Sequence, residues 1–135
     1  MKTQPTEIDH DAARLFTAAP GMRAWKDNGR VGRVVQCAGV LLLAIEESTL
    51  LQPFSTRPMV AFDTDDMPTC GAMLEQVEAE SHAYVELWHC PDDPPEESGV
   101  VFIRARDFAS YPGPTRGAAL VTAMRALKSA AKRGE

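Results

Sequence analysis

Three carboxylates fall within four residues at Asp63-Thr64-Asp65-Asp66. They follow Met59–Phe62, a short apolar segment that reads as a strand, so they stand at a strand end. Hard cations such as Mg²⁺ and Mn²⁺ bind through several oxygens at short range. An ion held by Asp63, Asp65 and Asp66 would make the chain a small divalent-metal-dependent hydrolase or nuclease. The plainer reading is that Asp65 or Asp66 caps the helix that follows while the others are solvated. Cys70, His82, His89 and Cys90 are the residues on which a tetrahedral zinc site would draw. Their spacing argues against it, because no C-x-x-C or H-x-x-x-H pair is present. Cys70 falls on an apolar helical stripe, and the neighbours His89 and Cys90 point to opposite faces of a strand. There is no Gly-x-Ser-x-Gly elbow and no glycine-rich loop ending in Lys-Ser or Lys-Thr. Gly29-Arg30-Val31-Gly32 belongs to a hairpin rather than a phosphate cradle, and His10-Asp11 reads as a solvated pair on a helix. No catalytic residue is assigned, and no cofactor is expected.

These residues depend on a readable set of elements. Ile8, Ala12, Leu15, Phe16 and Ala19 recur at helical spacing, with Thr6 as cap and Pro20-Gly21 as stop, and predict a helix over Thr6–Ala19. Met22–Lys26 and Arg30–Gln36 flank Asp27-Asn28-Gly29 and predict a hairpin, since Asn-Gly tolerates the positive φ that tight turns require. Val40–Ile45 is a short continuous apolar run that fits a strand or the start of a helix. Cys70, Met73, Leu74 and Val77 form the stripe of a helix from about Pro68 to Ser81. Ala83–His89 and Val100–Arg106 alternate as strands around an acidic loop, Pro91–Gly99. A second loop, Ser110–Pro114, precedes a closing helix from Thr115 with Leu120, Met124, Leu127 and Ala131 as its stripe. The expected fold is α+β: a single small domain over residues 1–135, its mostly antiparallel sheet packed against two or three helices. Its clearest unit is β-α-β-β-α from about residue 59.

Composition narrows the function. The formal net charge of -5 argues against nucleic acid and anionic membranes as partners, since both draw clustered positive charge. The 3 cysteines form no disulfide framework. With no signal peptide and no apolar run of membrane-spanning length, the expected location is the cytoplasm.

Strand alternation then singles out a surface. Val85, Leu87, Val101, Ile103 and Ala105 point toward the helices, which sends Tyr84, Glu86, Trp88, Phe102, Arg104 and Arg106 to the other face. Aromatic and arginine side chains are enriched at binding hot spots, so this face is the candidate contact with a protein partner or a second copy of the chain. The alternative is that the Met22–Gln36 hairpin or Val40–Ile45 covers it.

Asp66-Met67-Pro68-Thr69-Cys70-Gly71-Ala72-Met73-Leu74-Glu75-Gln76-Val77, two strands, and Thr115-Arg116-Gly117-Ala118-Ala119-Leu120-Val121-Thr122-Ala123-Met124-Arg125-Ala126-Leu127 make up a pattern spanning about half of the chain. It resembles small phage- and prophage-encoded accessory proteins of the phage α–β–α sandwich type. In those, an Asp-Pro-Ala-Thr-x-Gly-x-Leu-x-x-Leu-Val-like helix precedes a strand pair and a Thr-x-x-x-Ala-Leu-Val-x-Ala-Leu helix closes the chain. The acidic loop and Val34–Phe54 depart from that pattern. The resemblance implies no activity, cofactor or catalytic residue. The leading expectation is a phage- or prophage-encoded non-catalytic binding protein that acts by protein–protein contact, such as a host-factor or host-defence antagonist, placed in the host cytoplasm if phage-encoded. A virion structural or assembly component is the third reading, beside the metal-dependent hydrolase.

Overall fold

The computed structural model describes residues 2–26, 30–46, 51–53, 60–89, 92, 98–104 and 108–132, without the side chains of 51–53, 102, 104, 108 and 132. The described residues form three helices and two antiparallel sheets, the α+β architecture expected. Internal contacts divide the chain into two compact units, Met1–Ala72 and Met73–Glu135. No helix among the described residues is long and apolar enough to cross a membrane.

In the first unit, helix α1 (Glu7–Leu15) precedes strands β1 (Arg23–Trp25), β2 (Val31–Cys37), β3 (Val40–Ile45), β4 (Leu51–Pro53) and β5 (Ala61–Phe62). The sheet order is β4-β3-β2-β1-β5. Helix α1 stops at Leu15, short of the predicted Ala19, because Phe16 turns extended (φ −113°, ψ 155°). The Phe16 side chain is buried there. The β1–β2 hairpin pairs Arg23 with Arg33 and Trp25 with Val31, while its predicted Asp27-Asn28-Gly29 turn lies outside the described residues. Val40–Ile45 is a strand, and the reason is the turn before it. Ala38 and Gly39 both adopt positive φ (52° and 79°), the geometry of a two-residue hairpin turn whose twist matches that of its strands. Cys37 then pairs with Val40 and Val34 with Leu43. Strand β1 is flanked on both edges, and all three of its residues are buried.

Helix α2 (Met67–Ser81) begins in the first unit and ends in the second. Cys70, Met73 and Val77 are buried as predicted, but Leu74 is only half-buried. His82 closes the helix at φ 53°, and its N–H donates to the Glu78 carbonyl.

The second unit continues with β6 (Tyr84–His89), β7 (Gly99–Arg104), β8 (Phe108–Gly113) and α3 (Arg116–Lys132), the sheet running β6-β7-β8. Strand β8 corrects the reading of Ser110–Pro114 as a loop. Pro112 and Gly113 weaken a strand, but β8 is an edge strand, where proline is tolerated, and it pairs with β7 along its whole length. Gly99 is needed where β7 passes the start of α3, because any Cβ there would strike the Thr115 carbonyl. Thr115 caps α3, its hydroxyl accepting the Ala118 N–H at 3.1 Å. The helix lies over β7 and β8. Its buried face is centred on Ala119, Leu120, Ala123 and Met124, whereas Leu127 is half-buried and Ala131 exposed.

Candidate functional site

The acidic cluster after β5 lies within a network of ion pairs. Asp63 is buried, and its Oδ2 receives the Arg23 guanidinium at 2.6 Å. Its Oδ1 accepts the Asp65 N–H at 3.0 Å, a local turn bond of the kind aspartate favours. Asp66 is the cap of α2: one oxygen accepts the Thr69 N–H (3.1 Å) and hydroxyl (2.8 Å) and pairs with Arg33. The Thr69 hydroxyl also accepts the Arg23 backbone N–H at 2.8 Å, linking the cap to β1. Asp65 is exposed and pairs with Lys2 at 3.0 Å.

Two of the residues that organise this network, Arg23 and Asp9, are buried. Arg23 forks onto the half-buried Glu46 (2.6 and 3.1 Å), donates to Asp63 and to the Lys2 carbonyl, and stacks 5.1 Å from the Trp25 ring centroid. Asp9 accepts from the Thr6 N–H, the Thr64 N–H and hydroxyl, and Lys2 Nζ. Burial pushes the Asp9 carboxyl up, but Lys2 and these donors outweigh it and hold it below the usual range. Asp66 follows the same pattern through Arg33 and Thr69. Glu46 is lowered chiefly by its bond from Arg23, and Arg23 is raised chiefly by Glu46. Burial opposes the charge on Lys2, yet Asp9 and Asp65 raise its pKa. The aspartates are thus drawn together, as their sequence positions suggested, but around the protein's own cations. A divalent ion would have to displace an ammonium or a guanidinium to reach the same oxygens. Among the described residues no group of three or more His, Cys, Asp or Glu is arranged to hold a metal ion.

The other sequence candidates have local roles. The buried Cys70 Sγ donates to the Thr64 carbonyl at 3.2 Å. His82 ends α2, His89 is exposed at the end of β6, and Cys90 lies outside the described residues. His10 Nδ1 lies 3.1 Å from the Val60 carbonyl, and Asp11 pairs with Arg14.

Two of the exposed large hydrophobic side chains, Tyr84 and Trp88, lie on the face of β6 that alternation singled out. Backbone register sets Tyr84 opposite Arg104, Glu86 opposite Phe102 and Trp88 opposite Val100. Directly opposed residues share a face, so these positions belong together, and β8 adds Ser110 and Pro112 to the same face. Arg106 and Ala105 lie outside the described residues, as do the side chains of Phe102 and Arg104. On the opposite face Val85, Val101 and Ile103 are buried, as alternation predicts; Leu87 is only half-buried. Tyr84 is 63% exposed and Trp88 59% exposed. The Trp88 indole N–H donates to Glu86 Oε2 at 3.1 Å.

Lys2, Asp9, Arg23 and Glu46 escaped the sequence reading. One signal was present: with Met22–Lys26 read as a strand, Arg23 shares a face with Trp25, an unusual pairing for a solvated arginine. No family model, curated protein or solved structure matches the chain.

Proposed function

We propose that this chain is a non-catalytic binding protein that acts by protein–protein contact through the open face of the β6-β7-β8 sheet, around Tyr84 and Trp88. The observation that carries the reading is the exposure of these two side chains, 63% and 59%, on one strand and on one face. Aromatic side chains are enriched among binding hot spots, which supports a contact here. Tyr84 and Trp88 stand about 13 Å apart at four residues of strand rise, a spacing that fits two anchors of one contact. The Trp88 indole N–H finds its polar partner in Glu86 on the same strand, so its apolar ring is the part offered to a partner. An accessory protein of phage origin, directed at a host factor or host defence in the host cytoplasm, is the setting we propose for this contact.

The test is affinity capture from host lysate with the parent, Tyr84→Ala and Trp88→Ala chains, each checked by circular dichroism. Loss of the same captured protein from both folded variants is expected. Undiminished capture by both would overturn the reading.

A further inference from the structure

We infer that the edge of β6 pairs with β6 of a second copy of this chain, antiparallel across a two-fold axis at Leu87. The inference goes beyond the contact reading above and does not rest on it. Among the described residues the two sheets have four edges: β4, β5, β6 and β8. Strand β5 has two residues, β4 has three and ends in Pro53, and β8 carries Pro112. Short length and proline are the devices that keep sheet edges from pairing. Strand β6, Tyr84-Val85-Glu86-Leu87-Trp88-His89, is six residues long with no proline, lysine or arginine. The ladder that satisfies its backbone on one side is β7.

Among the described residues β6 has a neighbouring strand on one side, β7. Leu87 alternates with buried Val85 yet is itself only half-buried, because α3 lies over β7 and β8 and barely reaches β6. The register follows from chemistry. Only pairings between residues of the same alternation keep each face continuous. An axis at Glu86 would set two carboxylates directly opposite each other, which is unfavourable. An axis at Val85 or at Trp88 leaves fewer residues paired within the strand. An axis at Leu87 joins Leu87 to Leu87 on the apolar face and Glu86 to Trp88 on the open face. The second is the pair already bonded within each strand. The strand itself supplies this complementarity, and so a second copy is the occupant.

The test uses the full chain with Cys37→Ser and Cys90→Ser, leaving buried Cys70 in place. Directly opposed Cα atoms stand about 4.5–5.5 Å apart, within the ~4.4–6.8 Å that a disulfide spans. Leu87→Cys should therefore form a covalent dimer under mild oxidant. In Glu86→Cys the two copies are offset by two residues, roughly 8 Å, and should cross-link at least about tenfold more slowly. Sedimentation of the unmodified chain should show a dimer whose population rises with concentration. Faster cross-linking through Glu86→Cys would overturn the register. A parent chain that stays monomeric at high concentration would overturn the dimer, even if Leu87→Cys fails to fold. A monomer that still captures a host protein through Trp88 would sink this inference and leave the contact reading standing.

Discussion

Replacing Arg23 by Met removes the charge at the centre of the first unit while keeping most of the side-chain stem. The largest cost is at Asp63, whose side chain is 3% exposed and which loses a partner at 2.6 Å. Breaking a buried pair on one side costs about 3–5 kcal/mol, because the remaining charge is left without compensation. Lys2 Nζ, 3.5 Å from Asp63, offsets part of that. The lost stacking on Trp25 adds about 0.5–2 kcal/mol. Glu46, with 32% of its side chain exposed, returns to water, so its lost pair adds little. The net expectation is about 4 kcal/mol, a large share of the ~5–15 kcal/mol that stabilises a typical domain. Urea unfolding read by Trp25 fluorescence in a Trp88→Phe background should shift by roughly 2 M at a slope of about 2 kcal/mol per M. Arg23→Met combined with Asp63→Asn should cost less than the two changes summed, by about 1–3 kcal/mol. A midpoint within about 0.3 M of the parent, or strict additivity, would refute the view of this network as a mutually compensating lock.

Acid should unfold the first unit. Asp9, Glu46 and Asp66 are lowered from 3.8, 4.5 and 3.8, so they contribute stability above those values that is lost as pH falls through their folded pKa values. Lys2, raised from 10.5, contributes stability below that value which is lost as pH rises past it. A urea midpoint unchanged between pH 6 and pH 3 would contradict the pairing. Met124→Ala should cost about 2–5 kcal/mol and the half-buried Leu127→Ala distinctly less, a ranking that denaturation curves check. Exposed Cys37 should react readily with a thiol reagent, while Cys70, buried and bonded to the Thr64 carbonyl, should react only on unfolding. Labelling of both at one rate in the native protein would contradict that.

What the sequence made legible was local and periodic. The α2 stripe, the Asp66 cap and the alternation along β6 each follow from a few neighbouring residues; the structure reproduces the cap, buries Cys70, Met73, Val77 and Val85, and leaves Leu74 and Leu87 half-buried. The turn at Ala38-Gly39 was missed because alanine does not advertise positive φ, so Val40–Ile45 stayed ambiguous. Strand β8 was missed because Pro112 and Gly113 carry loop propensity, overridden by pairing with β7. The network at Arg23 joins residues more than 20 positions apart, Glu46 and Asp63 among them, and no periodicity brings them together. The half-burial of Leu87 depends on where α3 lies over the sheet, which alternation along one strand does not specify.

The central claim is that Tyr84 and Trp88 stand on the open sheet face to meet a partner. Its most direct test is the affinity of the captured partner for the parent and for Trp88→Ala, measured by titration beside a urea curve for each. A contact hot spot weakens binding by ~2 kcal/mol or more, about thirtyfold in Kd, when truncated. Since Trp88 is 59% exposed, the same change should leave the urea midpoint nearly where it was. Binding unchanged, or a midpoint collapse of the ~3–5 kcal/mol that a core tryptophan would cost, would contradict the account.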